Sequence, residues 1–142
     1  MTAVQESIVI DASPERVYKV ITQFEEYPEF LPEVEAVEAQ CLGDDHWQAT
    51  QTIRVIKKLV YTVELTGVPY KELRWHLISE EGLLTTNSGS WELTELPDGQ
   101  TRANYTLDIV IRGFVPPSLQ SSLTAASLPA MLKRFKKRVE EY

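Results

Sequence analysis

The sequence predicts an α+β fold: a curved antiparallel sheet of about seven strands wrapped around a long C-terminal helix, with two short helices between strands 1 and 2. Three observations predict it. A short apolar strand, Ile8-Val9-Ile10, runs directly into a helix-start signal at Ser13-Pro14-Glu15. Residues 34–111 then alternate between apolar and polar side chains, broken at short intervals by turn residues. Residues 119–139 change to helical spacing.

The first helix follows from its start. Ser13 can accept from the free N–H groups of the first turn, Pro14 suits the first helical position because its missing donor costs nothing there, and Glu15 favours the positive end of the dipole. Val17, Val20, Ile21 and Phe24 form one apolar face. Pro28 and Pro32 each remove a donor and bias the preceding residue away from helical geometry, so an aromatic-bearing short helix or loop follows at Tyr27–Pro32.

The strands are read in turn. Val34 to Leu42 alternates weakly, Gly43-Asp44-Asp45 turns the chain, and Trp47 to Val55 is rich in β-formers. Lys57-Lys58 leads into Leu59 to Val68, Tyr70-Lys71-Glu72 into Leu73 to Ser79, and Glu80-Glu81-Gly82 into Leu83 to Leu96. Asp98-Gly99 is tight-hairpin chemistry, and Thr101 to Ile111 is the last strand. One parity carries Trp47, Ala49, Gln51 and Ile53, then Tyr61, Val63 and Leu65, then Trp75 and Leu77. The same parity continues through Thr85, Asn87, Gly89, Trp91 and Leu93 to Tyr105, Leu107 and Ile109. The other carries Gln48, Thr50, Arg54, Glu64, Arg74, His76, Glu92, Arg102 and Asp108. One sheet face is therefore apolar and the other wet, as in a meander packed on a single side.

The segment after Pro116-Pro117 covers the apolar face. Leu119, Leu123, Ala126, Leu128, Met131, Leu132, Phe135 and Val139 keep helical spacing, and Pro129 is expected to kink or interrupt the helix.

At 142 residues, 43% hydrophobic and 25% charged, the chain fits a single soluble domain spanning 1–142. No apolar run approaches the ~20 residues that span a bilayer, and the first residues carry no secretory pattern. With Cys41 as the one cysteine, an internal disulfide is excluded and the cytoplasm is the expected location. The net charge of −7 argues against a general nucleic-acid binder, and no DNA partner is expected. Five cations, Lys133, Arg134, Lys136, Lys137 and Arg138, crowd one short segment, while residues 1–132 hold 9 basic and 19 acidic side chains. That cluster reads as a solvated helix end, with a peripheral contact to a membrane or ribosome as the functional alternative.

Four stretches carry a family resemblance: Ala12-Ser13-Pro14-Glu15-Arg16-Val17-Tyr18; Tyr27-Pro28-Glu29-Phe30-Leu31-Pro32; Gly89-Ser90-Trp91-Glu92-Leu93 with Gly99-Gln100-Thr101-Arg102; and Leu128-Pro129-Ala130-Met131-Leu132-Lys133-Arg134-Phe135. With the element order, they make the chain similar to the START/Bet v 1-like (SRPBCC) superfamily. Within it the chain resembles the polyketide cyclase/dehydrase group, which has coenzyme Q-binding and ribosome-association toxin relatives. The resemblance implies a helix-grip fold with an apolar cavity between sheet and helix, opening near residues 25–32. Because that superfamily places carriers, cyclases and regulatory modules on one scaffold, it implies no single activity.

The residues fit such a cavity. Inward Gln51, Thr85 and Asn87 stand among Tyr61, Trp75, Trp91 and Tyr105, which is an apolar wall with a few polar anchors. Phe30 and Leu31 flank the expected opening, and Leu128, Leu132 and Phe135 are placed to roof it. These residues, Trp91 apart, are the candidate ligand contacts. The expected function is non-enzymatic binding or transport of a lipid, isoprenoid quinone or polycyclic compound. A polyketide cyclase or aromatase is the alternative, and a ribosome- or RNA-associated regulatory module the second alternative.

Other chemistry is not indicated. His46, His76 and Cys41 are scattered, with both histidines on the wet parity, so no metal site or cofactor is expected. Cys41 reads as a small buried hydrophobe. No nucleophile elbow, phosphate loop or dinucleotide fingerprint occurs, and no catalytic residue is assigned. The acidic residues Glu25, Glu26, Glu29, Glu33, Glu35 and Glu38 lack the spacing of a calcium loop and read as solvated surface.

Overall fold

The computed structural model describes residues 4–54, 58–79, 82, 84–113, 117 and 128–141. Strand β1 (Val4–Ile10) leads to helix α1 (Pro14–Ile21) and a 3-10 helix (Phe24–Glu29). Strands β2 (Val34–Gly43), β3 (His46–Arg54), β4 (Lys58–Val68), β5 (Glu72–Leu77), β6 (Leu84–Glu95) and β7 (Thr101–Ile111) follow, and helix α2 (Leu128–Glu141) closes the described chain. The sheet is antiparallel in the order β1-β7-β6-β5-β4-β3-β2, so every strand after β1 pairs with its sequence neighbour and β1 closes onto β7.

The local chemistry acts as the sequence predicts. Ser13 Oγ accepts from the Arg16 N–H at 3.3 Å with Pro14 at the start of α1. In the β6–β7 turn Gly99 takes φ +86°, and Asp98 accepts from the Gln100 N–H at 3.1 Å. Residues 118–127 lie outside the described residues, and with them Leu119, Leu123, Ala126 and the helical turn needed to judge a kink at Pro129.

Helix α2 lies on the sheet through Leu128, Leu132, Phe135 and Val139, all buried. Its C-terminal half is tied down by polar contacts. Lys136 donates to the Val9 carbonyl at 2.8 Å, and Glu140 accepts from the Asp11 N–H at 2.8 Å. Arg138 reaches Glu26 at 2.9 Å and Glu29 at 2.8 Å, and lies 5.2 Å over the Phe30 ring. The ion pairs are half-exposed, so Arg138→Ala is expected to cost about 1 kcal/mol, and less in high salt. Urea denaturation at two ionic strengths checks both statements.

Two sequence readings are corrected here. Thr85 was expected to face inward, but β6 bulges between Leu84, which pairs with Ile111, and Thr86, which pairs with Val110. The extra residue slips the parity: Leu84 is buried, while Thr85 is exposed and donates to the Val110 carbonyl at 3.3 Å. Cys41, expected to be buried, is exposed. It lies near the hairpin end of edge strand β2, whose single fully buried residue is Val37, and its Sγ donates to the Gly43 carbonyl at 3.2 Å.

Candidate functional site

A cavity of about 370 Å³ lies between the inner face of the sheet and α2. Its walls follow from the alternation. Val63, Leu65, Leu73 and Leu107 supply the aliphatic part, and Trp75, Trp91, Tyr61 and Tyr105 the aromatic part. Phe24, Tyr27 and Leu31 close one side, and Leu128, Met131 and Phe135 cover it from the helix. Glu33 and Ala130, both exposed members of the wall, mark its open side among the described residues. That opening adjoins the 25–32 segment.

Aromatic packing fixes the inner wall. Trp91 stands edge-on to Tyr105 at 4.9 Å and to Phe135 at 5.0 Å, joining sheet to helix. Trp75 tilts against Tyr105 at 5.4 Å. It can lie across β6 only because residue 89 is glycine: a Cβ there would stand 2.5 Å from Trp75 Cζ2 and 2.2 Å from the Thr106 carbonyl oxygen. Gly89→Ala is therefore expected to destabilise the fold by about 3 kcal/mol, read by chemical denaturation.

Four polar side chains form two hydrogen-bonded pairs. The indole N–H of Trp75 donates to Asn87 Oδ1 at 3.2 Å, and Tyr61 donates to Gln51 Oε1 at 3.3 Å. Burial pushes the Tyr61 phenol up to about 12, an effect that the Asn87 amide partly opposes. Burial, with a smaller contribution from Tyr61, also raises Tyr105 well above an ordinary phenol. Both tyrosines therefore remain neutral O–H donors at physiological pH and are poor general bases.

Of the predicted site residues, Gln51, Tyr61, Trp75, Asn87, Tyr105, Leu31, Leu128 and Phe135 line the cavity. Thr85 is off the wall because of the bulge. Leu132 is buried in the core, and Phe30 stands edge-on to Tyr27 at 6.0 Å and to Phe135 at 5.1 Å. Phe30 thus packs against two residues of the wall. Glu33 was read as solvated surface, although its place directly after the Leu31-Pro32 pair was a signal that it would reach the opening.

Apart from Tyr27 and Glu33, the other titratable groups among the described residues are not on the cavity wall. On the outer sheet face His46 pairs with Glu64, and His76 stands 3.3 Å from the same carboxylate. Among the described residues no group of three or more His, Cys, Asp or Glu side chains is placed to hold a metal ion. The basic cluster is largely occupied. Lys136 pairs with Glu140, Lys137 lies 4.0 Å from Glu141, and Arg138 is held by Glu26 and Glu29. Lys133 and Arg134 remain as exposed cations with no ion pair among the described residues, a small charge for binding phosphate. No described helix is long and apolar enough to cross a membrane.

The fold recurs widely. A START superfamily protein from Mycobacterium smegmatis superposes with a TM-score of 0.84 at 19% identity, covering 99% of both chains. An aromatase/cyclase from Streptomyces sp. R1128 gives 0.71 at 19% identity, covering 97% of this chain and 86% of the other. A STAR-related lipid transfer protein from Xanthomonas axonopodis gives 0.79 at 15% identity, covering 97% and 85%. At these identities the likeness shows the helix-grip fold. No curated protein matches the chain in sequence. The model of the polyketide cyclase/dehydrase and lipid transport family matches residues 1–140, and the chain belongs to that family.

Proposed function

We propose that this protein binds or carries an uncharged hydrophobic small molecule in the cavity between sheet and α2. The observation that carries the reading is the wall itself: aliphatic and aromatic side chains interrupted by neutral hydrogen-bonding groups, with a carboxylate only at the opening. At about 370 Å³ the cavity is near the lower end of the ~300–1,000 Å³ range of small-molecule sites, which favours a compact ring system or a single chain over a whole phospholipid. Native mass spectrometry of gently purified protein, followed by extraction, is the test. A co-purifying neutral compound of matching mass is expected. Protein that carries nothing and takes up no quinone, long-chain alcohol or aromatic ketone would overturn the reading.

A second reading, cyclisation of a flexible polyketone, is favoured by one observation: Tyr105 presents on the wall a phenol with no acceptor among the described residues, where it could polarise a carbonyl while the cavity holds the chain near its reactive geometry. Cyclisation that persists unchanged in Tyr105→Phe would remove that role.

A further inference from the structure

Hydrogen-bond direction in the cavity decides what a ligand must offer. An indole N–H is a donor only, so Trp75 commits Asn87 Oδ1 as its acceptor. The Asn87 amide also partly offsets the effect of burial on the Tyr61 phenol. Tyr61 in turn spends its single hydrogen on Gln51 Oε1. These two pairs tie β5 to β6 and β4 to β3. With its oxygen engaged, Gln51 is left with an amide nitrogen whose hydrogens meet no acceptor among the described residues. The Tyr105 hydroxyl likewise has no hydrogen-bond acceptor among them, and it too stands on the wall.

Charge narrows the class further. No lysine or arginine belongs to the described wall, and its one ionised group is the exposed carboxylate of Glu33. The nearby cations Arg54 and Lys58 are directed at Glu35 instead, at 2.6 and 3.9 Å. Residues 114–127 contain no charged side chain. A carboxylate drawn into this cavity would lose its hydration with no cation to replace it, and would pass Glu33 on entry.

We infer that Gln51 and Tyr105 are the specificity-determining donors of the cavity, and that they select an uncharged ligand presenting acceptor oxygens, such as the carbonyls of an aromatic ketone, over a carboxylate on the same skeleton. This rests on the cavity being a binding site, as proposed above. It makes Tyr61 a positioning residue, which engages the Gln51 amide oxygen and leaves the nitrogen for the ligand.

Three matched probes separate the two claims: 2-acetylnaphthalene, 2-naphthoate and 2-ethylnaphthalene, titrated calorimetrically at neutral pH. The ketone is expected to bind at least about tenfold more tightly than the carboxylate. Gln51→Leu and Tyr105→Phe should each weaken the ketone by about 5–10-fold while leaving the hydrocarbon within about twofold. Equal or tighter binding of the carboxylate by the unaltered protein would overturn the inference and leave the binding cavity standing. So would variants that lose ketone and hydrocarbon in equal measure. Failure of all three probes to bind the unaltered protein would overturn both this inference and the reading it rests on.

Discussion

Trp91→Ala is expected to cost about 3–5 kcal/mol of folding stability, the largest single loss among the wall residues. Trp91 is only 2% exposed and is the ring through which β6 meets α2, with Tyr105 on one side and Phe135 on the other. Phe135 in turn packs edge-on against Tyr27 at 5.3 Å, so the indole sits at the centre of an aromatic chain that reaches the 3-10 helix. Removing it merges a new void with an existing one, and the surrounding rings, anchored on separate elements, cannot collapse into both. Equilibrium denaturation in urea measures the loss. A cost below about 1 kcal/mol would mean that Trp91 does not join sheet to helix.

Ile109→Trp is expected to abolish binding with little effect on folding. Ile109 is half-buried on β7 and lines the cavity, so a larger side chain can enter empty space rather than packed neighbours. Affinity for 2-acetylnaphthalene should fall by about 100-fold or more, equivalent to about 3 kcal/mol, while stability stays within about 1 kcal/mol of the parent. Val60→Trp is the matched control. Val60 is 54% exposed on the outer face, and a tryptophan there should leave binding unchanged. Equal affinity in the parent and Ile109→Trp would place the ligand elsewhere.

Much of this architecture was legible in the chain because local chemistry and global packing agree. Ser13-Pro14 starts α1 where any isolated helix would start, Asp98-Gly99 turns the chain where a tight hairpin must, and the two-residue period of β3, β4 and β7 states which face is buried. The element order was readable for the same reason. Thr85 escaped because a bulge is one extra residue in one strand, and parity counted along that strand cannot reveal it without the partner's register. Cys41 escaped because alternation gives the face of a strand but not how far along it the covering elements reach. On β2 the 3-10 helix side stops near Ala39, whose N–H meets Glu25 at 3.3 Å, and Cys41 lies beyond.

The candidate site was legible as a set of residue types on one face, but not as hydrogen-bonded pairs. Gln51 meets Tyr61 and Trp75 meets Asn87 across neighbouring strands, and which side chains meet depends on the register between them. Helical periodicity places Leu132 at the roof, and Phe30 follows from the 25–32 segment where the resemblance puts the opening. Neither is on the wall: Leu132 is buried in the core, and Phe30 packs against the wall residues Tyr27 and Phe135.

The cavity as the binding site is tested most directly by methyl chemical-shift mapping on protein labelled at Ile, Leu and Val, titrated with 2-acetylnaphthalene. The largest shifts are predicted at Val63, Leu65, Leu73, Leu107, Ile109 and Leu128, all on the wall, with Val9, Val60, Val68 and Val110 on the exterior unmoved. Shifts confined to those exterior valines, or none at saturating ligand, would contradict it.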